Sequence, residues 1–151
     1  MTGTTRLLAA LLTAITLLAP FAAPPAYADS RLDFTGTTID GAPFNGASLA
    51  GRLAVLWFWT PWCPFCNQEA PSVSQVAAAN PQVTFVGIAA RADAGAMRDF
   101  VGRYHLGFTN LDDADGSLWA RFNVPWQPAY LFVAVARSST ASSESLRAAL
   151  R

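Results

Sequence analysis

Three apolar runs of strand length divide the chain: Leu53–Trp59 (LAVLWFW), Val83–Ala89 (VTFVGIA) and Ala129–Val135 (AYLFVAV). None shows a regular apolar–polar alternation, which suits strands buried on both faces. Helical patterns lie between them. One runs from about Cys63 to Ala79, contains Pro71, which predicts a kink, and is stopped by Asn80-Pro81. A second spans Asp93–Tyr104, with Asp93 as its cap and Met97, Phe100, Val101 and Tyr104 on one face. Weaker signals predict a hairpin near Leu32–Thr38 and Pro43–Phe44 around Asp40-Gly41, and a short strand at Phe108–Leu111. They also predict a short helix from Asp115-Gly116-Ser117 to Phe122 and a last helix over Glu144–Leu150. Strands alternating with helices make this an α/β chain with a helix-covered sheet.

The N-terminus reads differently. Arg6 is followed by the apolar stretch Leu7–Leu18, shorter than the roughly 20 residues that span a bilayer. Ala26-Tyr27-Ala28 then has the small-x-small pattern of a peptidase site. Residues 1–28 are therefore expected to be a signal peptide cleaved before Asp29, leaving one domain over 29–151; an uncleaved anchor is the alternative. The charge balance adds an exclusion. Ten basic residues, all Arg, match ten acidic ones without any run of like charge, so nothing points to nucleic acid as a partner.

The chemistry is concentrated in Trp62-Cys63-Pro64-Phe65-Cys66, where a buried strand gives way to a helix. Residues three apart share a helix face with Cβ atoms about 5–6 Å apart, close enough for a disulfide. So short a ring removes little unfolded-chain entropy, which favours exchange over stapling. Cys63 at the helix start meets free N–H groups and the positive end of the dipole, both favouring thiolate, the attacking species. Cys66, one turn in, is expected to be more buried and to resolve a mixed disulfide. An inert disulfide is a weaker reading. Zinc would need two further ligands where only His105 is on offer. A c-type haem site would need His where Asn67 stands.

With Pro128 before the strand Ala129–Val133, and with Cys66-Asn67-Gln68-Glu69-Ala70-Pro71, these residues resemble the thioredoxin superfamily, and within it the exported TlpA/DsbE/ResA branch. That branch carries Glu three residues after the second cysteine and Pro two later. The Pro-Phe dipeptide is further similar to secreted DsbE-like proteins that act as disulfide oxidants. The resemblance covers about Leu32 to Val135. It implies a thioredoxin fold: a central mixed sheet flanked by helices, with an N-terminal hairpin. The C-terminal edge is shortened, since Ala129–Val135 runs almost directly into the polar stretch Ser138–Ser143 where the family has a turn and another strand. The resemblance also implies a cis bond at Pro128 beside the cysteines, leaving the backbone of Gln127 to pair with an incoming peptide.

Cytosolic thioredoxins bury an Asp six residues before the first cysteine; here that residue is Trp57. Glu69, one of two Glu in the chain, is the remaining candidate for moving protons at Cys66. Trp62, Phe65 and Trp126 are expected to form an apolar rim around Cys63 that holds an unfolded segment. Asp112, Asp113 and Asp115 read as turn and cap residues, because no bidentate Glu follows them as in a calcium loop. His105 reads as a surface residue.

The expected function is thiol–disulfide exchange on exported, cysteine-containing proteins, in the oxidising direction. It requires no metal or other cofactor, and a membrane or exported redox partner recycles the disulfide of a monomeric protein. The alternatives are a reductant for cytochrome c maturation and a non-catalytic thioredoxin-fold binding module. A thiol peroxidase fits less well: Thr60-Pro61-Trp62-Cys63 has the Thr-x-x-Cys spacing, but the Pro expected four residues before Thr60 is Leu56.

Overall fold

The computed structural model describes residues 30–133 and 138–141. The expected leader and last helix lie outside them. The strands are β1 (Thr35–Thr38), β2 (Pro43–Asn45), β3 (Ala54–Trp59), β4 (Thr84–Ala90), β5 (Thr109–Asp113), β6 (Ala129–Val133) and β7 (Ser138–Ala141). The helices are α1 (Pro64–Ala79), α2 (Ala94–Tyr104) and α3 (Ser117–Arg121). The strands form one sheet in the order β2-β1-β5-β4-β3-β6-β7. β4 is parallel to both β3 and β5, and the other pairings are antiparallel.

The apolar run of β3 explains itself in this sheet, because all six residues are buried. Ala54, Leu56 and Phe58 point into a core shared with Leu118 and Trp119 of α3. Val55, Trp57 and Trp59 point to the opposite core, beneath Cys66, Ala70 and Val73 of α1 and Met97 and Phe100 of α2. Side chains alternate across a strand, so a strand covered on both faces must be apolar throughout.

Local sequence sets most element ends. The Asp93 carboxylate accepts the Ala96 N–H at 2.9 Å and caps α2, and His105 closes that helix in the left-handed region with φ 51°. Gly116 starts α3 without a side-chain cap. The buried Asp113 takes over that role, accepting the N–H groups of Leu118 and Trp119 at 2.8 and 2.9 Å. Asp112 and Asp115 accept the N–H groups of Ala114 and Ser117.

One sequence expectation changes and another is made specific. Leu32 closes a single 3-10 turn, Ser30–Leu32, and β1 begins only at Thr35. The shortened C-terminal edge takes the form of a four-residue strand: Ser138–Ala141, part of the stretch read as polar, pairs antiparallel with β6 from Val133↔Ser138 to Tyr130↔Ala141. The edge is short but present. An edge strand is held by backbone hydrogen bonds, which small polar residues supply as well as apolar ones.

Gly87, in the middle of β4, allows a close approach between β3 and β5 side chains. The Trp59 Nε1–H donates to Asn110 Oδ1 at 3.2 Å directly over it, and a Cβ there would collide with that oxygen. Gly87→Ala is expected to lower stability by about 1–3 kcal/mol through overpacking. A reduced urea midpoint with an unchanged slope would report it.

Candidate active site

β3 runs out at Trp59, and Thr60-Pro61-Trp62 carries the chain to α1. Cys63 is the N-cap of α1, with extended backbone, and Pro64 takes the first helical position. A proline is favoured there because its missing N–H would have had no partner. The Cys63 Sγ accepts the Cys66 N–H at 3.3 Å. A donor aimed at the sulfur stabilises negative charge as it develops there. Both cysteines are free thiols. Cys63 retains 4% exposure and Cys66 none, the order expected for an attacking and a resolving thiol.

Burial pushes the Cys66 thiol well above its ordinary value of 9.0, and the neighbouring Cys63 and the charge of Glu69 push the same way. Glu69 lies on the same face of α1, three residues on. Its Oε2 accepts the Tyr130 O–H at 2.7 Å. Tyr130 is buried on β6 and stacks on Trp57, 6.4 Å between centroids and 16° between planes. Trp57 fills its strand position with an aromatic layer, and the carboxylate whose charge acts on Cys66 is carried by the helix.

The Gln127–Pro128 bond is cis. The register Phe58↔Ala129 puts it at the end of the sheet where β3 leaves for Cys63. The three aromatic residues expected to form a rim belong to the segments at that end. Trp62, Phe65 and Trp126 are 55, 65 and 69% exposed, in a chain that buries its other tryptophans. Trp62 Nε1 donates to the Arg91 carbonyl at 3.0 Å, and the left-handed backbone of Arg91 (φ 55°) turns the chain there after β4. A groove of about 420 Å³ opens beside Trp62, lined by Pro61, Arg91, Asp99, Phe100 and Arg103 among others. His105 is exposed at the C-terminal end of α2, where its carbonyl accepts the Ser74 hydroxyl at 2.8 Å.

A model of the redoxin family matches residues 25–140, more than three quarters of the chain. The chain belongs to the redoxin family. Its redoxin relatives include the soluble secreted antigen MPT53 of Mycobacterium tuberculosis and of Mycobacterium bovis, 72% identical over 113 residues. That match covers 75% of this chain and 65% of the relative, so the chain spans about two thirds of the length of these curated proteins. Among solved structures, a secreted M. tuberculosis disulfide oxidoreductase homologous to E. coli DsbE superposes with a TM-score of 0.77. It is 62% identical, and the match covers 82% of this chain and 98% of that one. M. tuberculosis DsbF, in mixed oxidised and reduced forms, gives 0.76 at 47% identity, covering 82% and 99%. The redoxin chain described here therefore has the thioredoxin-like fold, with a Cys-Pro-Phe-Cys pair at its helix start.

Three contacts of this redoxin site have no signal in the sequence. Tyr130 reads simply as a strand residue, Arg91 as a loop residue, and Tyr104 as part of the apolar face of α2. Each meets the site through a hydrogen bond between separate elements.

Proposed function

We propose that this protein is a thiol–disulfide oxidoreductase acting on cysteine-containing proteins outside the cytoplasm, in the oxidising direction. The observation that carries the reading is the thiol pair at the start of α1. A nearly buried Cys63 sulfur faces an N–H donor and is framed by exposed aromatic side chains.

In the oxidised protein a substrate thiolate attacks the Cys63 sulfur. The Cys63–Cys66 bond breaks, a mixed disulfide forms, and Cys66 leaves with the electron pair. Glu69 relays to the buried Cys66 sulfur the proton that the substrate thiol gave up, and takes it back when Cys66 attacks the mixed disulfide in the reverse direction. A second substrate thiolate then attacks the substrate sulfur of the mixed disulfide, and Cys63 leaves as thiolate. The substrate gains a disulfide and the enzyme is left as the dithiol, to be reoxidised by an exported or membrane-bound disulfide partner. Trp62, Phe65 and Trp126 hold the substrate segment by apolar contact, and the backbone of Gln127, ahead of Pro128, pairs with its main chain. Such contacts read shape more than sequence, as a general oxidant requires.

The secreted character of the relatives supports an extracytoplasmic location, with residues 1–28 as the cleaved leader. Among the described residues, no helix is long and apolar enough to cross a membrane.

A second reading, a reductant, is favoured by Glu69: an acid beside the resolving thiol also helps Cys66 to deprotonate and attack. Stabilisation of the Cys63 thiolate stabilises the reduced form and supports oxidation instead. Equilibration with glutathione decides. The expected potential is about −180 mV or above, with oxidative refolding of a reduced substrate protein; a value at or below about −270 mV, with insulin reduction and no refolding, would assign the reductant role.

A further inference from the structure

Asn67, the residue after the second cysteine, makes no contact in the mechanism above, yet its side chain is fully engaged. Its Nδ2 donates to the Pro61 carbonyl at 3.0 Å and to the Cys63 carbonyl at 2.8 Å. Its Oδ1 accepts the Tyr104 O–H at 2.7 Å. A carboxamide has two N–H donors, and here both bind the carbonyls on either side of Trp62. The segment that presents Trp62 and Cys63 is thus tied to the first turn of α1 by a single side chain.

Tyr104 fixes which way that carboxamide points. A hydroxyl that donates to Oδ1 leaves the nitrogen facing the two carbonyls. Tyr104 is itself held by the core: its ring meets Phe100 edge-on at 4.8 Å, and Phe100 stacks at 4.3 Å on Trp59, the last residue of β3. The chain of contacts runs from the end of β3, through α2, back to the redox turn. The turn has reason to need it. Pro71 has no N–H to give the Asn67 carbonyl four residues earlier, so the first turn of α1 is tied to the rest of the helix by one ladder bond fewer.

We infer that Asn67 and Tyr104 are positioning residues for the redox centre: they clamp the Pro61–Cys63 turn in the geometry that points the Cys66 N–H at the Cys63 sulfur. This rests on the exchange activity proposed above. The clamp acts on the reduced form, where the N–H to sulfur contact exists, so releasing it makes the protein a weaker oxidant and slows formation of the mixed disulfide.

The test compares wild type, Asn67→Ala, Tyr104→Phe and the double variant. The equilibrium constant with glutathione and the rate of reaction with a cysteine-containing peptide are measured for each, beside the urea midpoint. Asn67→Ala is expected to shift the equilibrium about three- to tenfold toward the disulfide form, the scale of one hydrogen bond. Tyr104→Phe should move it the same way by less, and the double variant should match Asn67→Ala, because Tyr104 acts through Asn67. A role confined to stability would lower the urea midpoint and leave the equilibrium constant unchanged, and that result overturns the inference. Should Asn67→Ala fail to fold, Tyr104→Phe alone decides on the same criterion. Wild-type protein that does not exchange with the peptide would instead remove the activity reading itself.

Discussion

Cys63→Ser is expected to abolish exchange, by on the order of a thousandfold or more, the scale on which enzymes lose rate when their nucleophile is removed. Cys66→Ser is expected to accumulate a mixed disulfide. The asymmetry follows from position. Cys63 caps α1, keeps some exposure and takes the Cys66 N–H on its sulfur. It is the sulfur a substrate can reach and the one whose charge the helix start stabilises. Cys66 lies wholly beneath it, so no substrate meets it directly. Once Cys66 is Ser, an attacked substrate disulfide stays joined to Cys63, because nothing inside the protein can displace it. Incubation with a disulfide substrate, alkylation and non-reducing electrophoresis read both outcomes. Partners trapped on the Cys63 variant and not on the Cys66 variant would reverse the roles.

Glu69→Gln is expected to slow the step in which Cys66 attacks the mixed disulfide by about a hundredfold, the lower end of what positioned general acid–base groups contribute. Burial first, and then its neighbours Cys63 and Glu69, hold the Cys66 thiol above its ordinary value. Near neutral pH it is therefore protonated in the resting dithiol and must lose its proton to attack. The sign of the pH dependence follows. Without an internal base, the reactive thiolate fraction rises tenfold for each pH unit below the thiol's pKa. The Glu69→Gln rate should climb close to that slope between about pH 6 and 8, while wild type, passing the proton to Glu69, should be flatter. Tyr130→Phe removes the hydroxyl that fixes the carboxylate at 2.7 Å and should give a smaller loss of rate with the same change in profile. Stopped-flow tryptophan fluorescence can follow the step. Equal slopes in wild type and Glu69→Gln would show that the proton leaves by another route.

Much of this protein is legible along the chain, and for a common reason. The unbroken apolar run that marks β3 for burial on both faces, the placing of Cys63 at a helix start, the Asp93 cap and the local turns of Asp112 and Asp115 are each written in residues close together along the chain. Side-chain periodicity, helix-end chemistry and turn geometry operate over that range, so the residue types at those spacings determine the result. Exposure of Trp62 and Phe65 is partly legible in the same way, since they flank a cysteine that must be reached.

What the tertiary structure decided is which distant groups meet. Tyr130 reaches Glu69 across 61 residues, Tyr104 reaches Asn67 across 37, and the Arg91 carbonyl takes the Trp62 indole across 29. In the sequence Tyr104 and Tyr130 look like ordinary apolar-face residues, because the ring satisfies the pattern and the hydroxyl leaves no trace in it. The strand Ser138–Ala141 was hidden for a related reason: its partner is the backbone of β6, and backbone pairing leaves little mark on side-chain composition. Each of these contacts is set by the register in which whole elements pack. That register comes from burying both faces of the sheet at once, which no local window of sequence contains.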